Sequence, residues 1–489
     1  MATSIRDFLI ELYQEYLEEA SFLYEQRLAL FDDPEVTWED IGDFEERFEP
    51  HIDGLVVGGE LALEICQIRA REGDFGELHA AVLVFCRQNR KDLVLQALKE
   101  LDPEDAERMK AMSDALKYEL PEEWQDEFLR MISVSVDEIL PENKRKVIPI
   151  IANLAGYRRL KAATGPLLAA LGEIPAESLP GVIWTLGRLG EQSARSLLLP
   201  YLHHENKSVS SASALALLRL GEHRLDTALP QTQSAQVQSA QTQNAQVQSA
   251  YTQRAQVINS RLGQAPSKDW SIISIALGGG RSSVQVLLEL TKTGHAEAVC
   301  LIGLGLLGDI SALSTLLIYL GHPETAESAA LALHLFTGAQ LYEKVFVPDE
   351  IDQDELSEEE LEDLKQGQPL VRPDGKPFGT TITRISLSPE VWQRWWTENR
   401  SRFTPGIRYR NGQPYSPSCL LSNLAQSPHK VRQFAYEELV IRYGLDFSFE
   451  TDMPVARQKQ ALAYCAQWIK KNNSRFREGH WYFDGQIIP

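Results

Sequence analysis

Between residues 147 and 338 helix-like stretches keep ending in a Leu-Gly or similar step, at Leu189-Gly190, Leu220-Gly221, Leu277-Gly278, Leu307-Gly308 and Thr337-Gly338. Glycine just past a helix end takes the left-handed conformation at little cost, so such a step marks a helix stop. The glycines lie 31 residues apart from Gly190 to Gly221, and 30 apart from Gly278 to Gly308 and from Gly308 to Gly338. That is the length of one two-helix unit, so the chain is expected to stack helical pairs in series, each covering the apolar face of the next. Two copies agree position by position. At equal offsets from Gly190 and Gly308 stand Ala194 and Ala312, Leu198 and Leu316, Leu199 and Leu317, Tyr201 and Tyr319, Leu202 and Leu320, and His204 and His322. Each copy then turns into an alanine-rich helix (Ala212, Ala214, Ala216; Ala329, Ala330, Ala332) whose small side chains allow close helix packing.

This pattern resembles a HEAT-type helical pair, and the fold class expected is all-α: a HEAT-like α-solenoid over residues 143–345, with smaller helical regions before and after it. Residues 1–142 form the first region. Ile5, Phe8, Leu9, Leu12, Tyr13, Tyr16, Leu17, Ala20, Leu23, Tyr24 and Leu28 draw one apolar stripe, Ser4 with Asp7 makes a capping box, and Pro34 lies beyond the end. A second helix is expected from Thr37, carrying Trp38, Ile41, Phe44 and Phe48 to the same core, with two more punctuated by Gly58-Gly59 and by Gly73 to Gly76. Residues 230–260 interrupt the repeats with a five-residue glutamine-rich tandem of neither helical nor strand period. It reads as a disordered or weakly ordered insertion in an inter-repeat loop, with a pentapeptide β-helix as the alternative.

Residues 346–387 read as an acidic linker followed by a hairpin. Residues 349–363 hold ten acidic residues and no basic one, and a Pro373-Asp374-Gly375 turn leads into a β-branched run. Residues 388–489 read as a basic, Trp/Arg-rich helical region. Ser388-Pro389-Glu390 starts a helix bearing Trp392, Trp395 and Trp396, and three further helices are expected near Ser418 to Gln426, Pro428 to Tyr443 and Val455 to Asn472.

Chemistry is sparse. The Gly278-Gly279-Gly280 run lacks the lysine and Ser/Thr of a phosphate loop, and His203-His204 lacks the partner spacing of a metalloprotease helix. His204 recurs at His322, which points to a turn role. Five widely spaced cysteines without a C-x-x-C pair read as buried thiols. No catalytic residue, metal site or cofactor is expected. The most individual stretch is WQRWWTENRSRFTPGIRYRNGQPY, whose Trp392, Trp395, Trp396, Arg400, Arg402, Arg408, Tyr409 and Arg410 are candidates for partner binding, because Trp, Tyr and Arg dominate interface energetics. The other reading is a packed tryptophan helix followed by a loop pinned by arginine to the acidic segment or the acidic module.

The segments EERFEPHIDGLVVGGELA, the alanine-rich middle, and the Trp/Arg stretch followed by VRQFAYEEL resemble a bacterial, mainly proteobacterial, family of HEAT-repeat proteins of uncharacterised activity. The resemblance spans most of the chain, and the glutamine-rich tandem departs from it. Members are often encoded near spike and adaptor components of type VI secretion. The resemblance implies a cytoplasmic, non-catalytic scaffold or adaptor, used in assembly or effector loading, with a spike, adaptor or effector protein as partner. It carries over no catalytic residue. A solenoid of this kind can flex at each repeat interface and wrap its partner. The alternatives are a HEAT-like enzyme and a nucleic-acid-binding scaffold.

A net charge of −21 argues against a surface that coats nucleic acid or an anionic membrane, and no apolar stretch reaches the length of a membrane span. Asp7 and Glu11 interrupt what an export signal would need. The charge is uneven. Residues 1–142 carry 36 acidic and 13 basic residues, whereas residues 364–489 carry 18 basic and 10 acidic. The acidic module is therefore expected either to contact the basic end or to serve a basic partner.

Overall fold

The computed structural model describes residues 4–31, 36–137, 141–223, 269–292, 297–348 and 378–489. The glutamine-rich tandem, the acidic run and the Pro373-Asp374-Gly375 turn lie outside the described residues. The described chain is mostly helical. It begins with α1 (Ile5–Leu30), α2 (Ile41–Val57), α3 (Gly59–Glu72), α4 (Phe75–Arg87), α5 (Lys91–Glu100), α6 (Ala106–Glu119), α7 (Gln125–Asp137) and α8 (Pro141–Arg158). Next come α9 (Thr164–Ala170), α10 (Leu179–Leu189), α11 (Ala194–Leu198), α12 (Lys207–Arg219), α13 (Asp269–Gly278), α14 (Ser282–Thr291), α15 (Glu297–Leu307), α16 (Leu313–Tyr319) and α17 (Ala326–Thr337). Strands β1 (Tyr342–Pro348) and β2 (Gly379–Ile385) precede α18 (Pro389–Asn399). The short pair β3 (Tyr409–Arg410) and β4 (Gln413–Pro414) leads to α19 (Pro417–Gln426), α20 (His429–Tyr443) and α21 (Val455–Asn472). The chain closes on β5 (Trp481–Phe483) and β6 (Gln486–Ile488).

Helices α4, α6, α8, α10, α12, α13, α15 and α17 pack each on the next, in that order. The repeat positions explain the spacing. In α10 a Cβ on Gly187 would stand 2.6 Å from the Cα of Ala216 in α12, and in α15 a Cβ on Gly305 would stand 2.5 Å from the Cα of Ala332 in α17. Small residues at both crossings let the backbones approach. Tyr201 donates to the Leu171 carbonyl at 3.3 Å, and its counterpart Tyr319 donates to the Thr291 carbonyl at 2.6 Å. Each tyrosine thus ties its unit to the one before, and each faces its own repeat histidine, His204 or His322. Ala194, Leu198 and Leu202 are buried, as are Ala312, Leu316 and Leu320.

One apolar core runs unbroken from Leu17 to Leu220. The change of pattern at residue 142 is therefore not a break in packing, and α6 packs on α8 much as α8 packs on α10. At the start, the Ser4–Asp7 capping box forms in both directions, at 3.1 and 3.3 Å. Thr37 does not begin α2. Its amide and hydroxyl both donate to Asp40, closing a turn, and the helix starts at Ile41. Trp38 turns away from the module's core. It packs with Ile41 against Val455 of α21 and donates its indole N–H to the Ala425 carbonyl at 2.9 Å.

The hairpin also differs from expectation. The β-branched run forms β2, but its antiparallel partner is β1, upstream of the acidic run, with Tyr342 opposite Ile385 and Pro348 opposite Gly379. A strand with half-buried residues needs hydrogen-bond partners, and the sequence before residue 349 supplies them. The three C-terminal helices lie where the pattern places them. All five cysteines are free, and burial pushes the Cys66, Cys86 and Cys465 thiols up to about 12. No described helix is long and apolar enough to cross a membrane.

Four of the five step glycines, Gly190, Gly221, Gly308 and Gly338, have φ between 63° and 79°, while Gly278 ends α13 under the Leu218 side chain. The left-handed glycines are not equivalent. A Cβ at Gly190 would meet nothing within 4 Å, but at Gly308 it would lie 2.1 Å from the Tyr409 carbonyl oxygen. Gly190→Ala is expected to cost about 1–2 kcal/mol for the left-handed conformation alone. Gly308→Ala should cost clearly more, because backbone must also move. Urea denaturation of the two variants compares them, and equal losses would contradict the close approach at Gly308.

Candidate functional site along a row of helix ends

An α-helix leaves its last four carbonyls without intrahelical partners, and its dipole places about half a negative charge there. Residues 403–457 run along the C-terminal ends of seven stacked helices and meet each one. At α6, Arg457 donates to the Tyr118 carbonyl, and at α8 the Ser448 hydroxyl donates to the Tyr157 carbonyl. At α10 and α12 the contacts are ion pairs, Arg188 with Glu450 at 2.7 Å and Arg219 with Glu437 at 2.7 Å. At α13, Arg442 donates to the carbonyls of Ala276, at 2.7 Å, and Gly279, at 3.1 Å. At α15, Arg408 donates to the Leu306 carbonyl at 2.7 Å and the Tyr409 amide to the Gly308 carbonyl at 2.8 Å. At α17, the amides of Asn411 and Gly412 donate to Leu335 and Phe336.

This placement resolves the Trp/Arg stretch. Trp392, Arg408, Tyr409 and Arg410 are buried, so contact with a partner at these four would require the C-terminal region to open. Trp392 donates its indole N–H to the Ser386 carbonyl at 2.7 Å. Trp395 and Trp396 are half-buried around Phe403. Of the eight candidates only Arg400 and Arg402 are exposed, and Arg402 donates to Asn399 at the end of α18. Arg408 and Arg410 are pinned inside the molecule, but by the Leu306 carbonyl and by Glu438 and not by the acidic module; the acidic run lies outside the described residues.

At the centre lies Glu438 of α20, fully buried. Its Oε1 accepts from Arg408 at 2.6 Å and from the Tyr415 hydroxyl at 2.8 Å, with Arg442 Nε at 3.4 Å, and its Oε2 accepts from Arg410. The Arg408 guanidinium also stacks 3.4 Å from the centre of the Tyr415 ring. Burial alone would raise the Glu438 carboxyl, but the three guanidiniums hold it below the ordinary carboxylate range. Burial and the neighbouring Arg408 lower Arg442 to about 10, and burial pushes the Tyr415 phenol up. Three cations face one carboxylate. The negative ends of α13 and α15, worth about half a charge each, supply much of the difference.

The stretch after α20, residues 444–454, crosses to the N-terminal module. Lys117 of α6 pairs with Asp452 at 2.7 Å and with Asp114 at 2.8 Å, and Tyr24 donates to Asp114. Arg27 of α1 and Tyr118 of α6 both donate to the Asp452 carbonyl. A cleft of about 500 Å³ opens beside these groups, walled by Trp184 and Tyr157 and bordered by His429 and Glu450. The acidic module and basic end do meet, as expected, but with the charges reversed at the principal ion pair. The acidic module contributes cations, and the basic region contributes the carboxylate. Asp114, buried, and Asp452, half-buried, both face Lys117 and are held below the ordinary range. Glu450 goes the other way. Burial raises it to about 7 even though Arg188 opposes the shift.

No group of three or more metal-ligating side chains stands together among the described residues. The sequence flagged the arginines but not their partners, Glu438 and Glu437. The signal was present, since two glutamates in FAYEELVIRY sit between apolar residues at helical spacing, where one face of α20 has to be buried. No protein-family model, curated protein or solved structure matches the chain. Its function is therefore argued from its own geometry.

Glu438→Gln removes the one carboxylate that, among the described residues, pairs with Arg408, Arg410 and Arg442, and should destabilise the chain by about 3–5 kcal/mol. Arg400→Ala, at an exposed position, should stay within about 0.5 kcal/mol. Urea denaturation of both variants tests the assignment; a mild effect of Glu438→Gln would show that the cluster is not what holds the region down.

For Glu450 the folded-state value lies above its unfolded value of about 4.5, so folding favours the protonated form. Its stabilising contribution is complete below pH 4.5 and is lost as pH rises through 7. The lowered carboxylates act in the opposite sense, but only at pH values below their ordinary range. The buried His79 and the half-buried His334, both lowered by desolvation, also act against Glu450 up to pH 6.5. Tm should therefore fall from pH 6.5 to 8, and Glu450→Gln should flatten that slope and melt higher than wild type at pH 8. An unchanged slope in Glu450→Gln would assign the effect elsewhere.

Proposed function

We propose that the protein is a HEAT-like α-solenoid acting as a non-catalytic scaffold or adaptor for another protein, accessory to type VI secretion through assembly or effector loading. The observation that supports this most is the serial packing of α4 through α17, with the edge from α6 to α17 covered by residues 403–457. Stacked helical pairs offer an extended face suited to a protein partner. The nucleic-acid alternative is weakened because Arg408, Arg410, Arg432 and Arg442, which would have supplied a basic stripe, are fully buried. The secretion context rests on the resemblance of the EERFEPHIDGLVVGGELA, Trp/Arg and VRQFAYEEL segments.

Affinity purification of the tagged full chain from its native cells, followed by mass spectrometry, is expected to recover a spike, adaptor or effector component. Recovery of none above the background of an untagged strain would remove the secretion reading.

A further inference from the structure

From Ile5 to Phe22, α1 projects an apolar face that no described residue covers. Leu17, Ala20, Leu23 and Tyr24 bury one side of the helix, but Ile5 is 81% exposed, Phe8 57% and Phe22 53%. Ile5, Phe8, Leu12, Glu15, Glu19 and Phe22 succeed one another at intervals of three and four. That is the a and d seam of a helix that pairs with another helix. Leu12 is half-buried, and Glu15 and Glu19 are exposed, with exposed Glu11 and Glu18 on the flank.

The two glutamates choose the occupant. In a parallel pairing with a second copy, Glu15 would face Glu15 and Glu19 would face Glu19. An antiparallel pairing would bury Glu19 against Phe8 and Glu15 against Leu12. Each arrangement costs free energy, by like-charge repulsion or by burying an unpaired carboxylate. The net charge of −23 over residues 1–142 adds to the repulsion between copies. Within the chain's own basic region, the buried Arg408, Arg410 and Arg442 are committed to helix ends and to Glu438 and do not reach this seam.

We infer that this seam of α1 is a docking surface for a basic amphipathic helix of a partner protein, with apolar residues over Ile5, Phe8, Leu12 and Phe22 and Lys or Arg opposite Glu11, Glu15 and Glu19. The inference rests on the scaffold reading and names the partner chemistry for one of its surfaces. Helix-on-helix docking of this kind is anchored by a few large apolar side chains, and flanking charges set partner choice.

The probe is a fluorescein-labelled 21-residue helical peptide with leucine at a and d and lysine at e and g, alongside a copy with glutamate in place of every lysine. Anisotropy titrations use the full chain. The lysine peptide should bind and the glutamate peptide should not. Ile5→Ser/Phe8→Ser and Glu15→Lys/Glu19→Lys should each weaken binding at least tenfold. Glu122→Lys/Glu123→Lys, an equal change of charge at exposed positions off α1, should change it less than twofold. Because all of these side chains are exposed, helicity and Tm should match wild type, which separates lost binding from lost folding. Equal binding of the two peptides, or an equal loss from the Glu122/Glu123 control, would overturn the proposal, as would a stable dimer by light scattering that Phe8→Ser dissolves. If Ile5→Ser/Phe8→Ser chain still recovers its partner from native cells, the α1 site falls while the scaffold reading stands.

Discussion

Stacking helices side by side with their C-termini on one edge gathers, on that edge, every carbonyl the helices cannot satisfy themselves. In this protein that edge runs from α6 to α17, and the organisation of the C-terminal region follows from it. An unpaired buried carbonyl costs about as much as a lost hydrogen bond, and a row of like-oriented dipoles adds a field that only cations relieve. Arginine suits both requirements, since its planar fork donates in several directions and keeps its charge when buried. Arg442 reaches two carbonyls of α13 and one of β5, while Arg408 reaches α15 and Glu438 together. Where the chain runs close enough, as at Gly308 and Gly338, backbone amides serve instead, and glycine is required there because Tyr409 and Asn411 lie within a Cβ's reach.

The charge asymmetry between the two ends of the chain acquires a local cause. Among the cations of residues 364–489, Arg408, Arg410, Arg432 and Arg442 are buried inside the molecule and offer no surface to a partner. The ties between the two regions use Lys117 and Arg27 from the acidic side and Asp452 from the basic side. Net charge by segment therefore gave the right pair of regions and the wrong sign for the contact. Pairing in a folded core is decided by which few side chains are desolvated together, whereas net charge is carried mostly by those that stay in water.

Much of the secondary structure was legible. The capping box at Ser4, the Leu-Gly steps, the Tyr201/Tyr319 equivalence and the three final helices are local signals, and local signals survive into the structure. What was not legible is long-range. Trp38 has the spacing of a core residue for α2 but packs on Val455 and Ala425, more than 380 residues away. The strand at 379–385 chose β1 across the acidic run, because pairing partners are selected by three-dimensional proximity and not by the nearest turn signal. The Trp/Arg stretch had the composition of an interface, and it is one, but between parts of the same chain.

The covering of one edge also bears on how such a stack moves. Repeats that touch only their neighbours can bend independently at each junction, and a wrapping mechanism depends on that freedom. Here one segment grips α13, α15 and α17 through Arg442, Arg408, Asn411 and Gly412, and α6, α8, α10 and α12 through Arg457, Ser448, Glu450 and Glu437. Spreading any two neighbours on this edge would stretch contacts that include the fully buried Glu438 cluster, whose guanidiniums have no water to fall back on. Bending that opens this edge is therefore resisted at every junction at once, and the stack behaves as one cooperative body. A protein partner of the kind proposed would then meet a preformed shape, which lowers the ordering cost of binding. It also shifts adaptability to elements that project from the stack, of which the uncovered first turns of α1 are one.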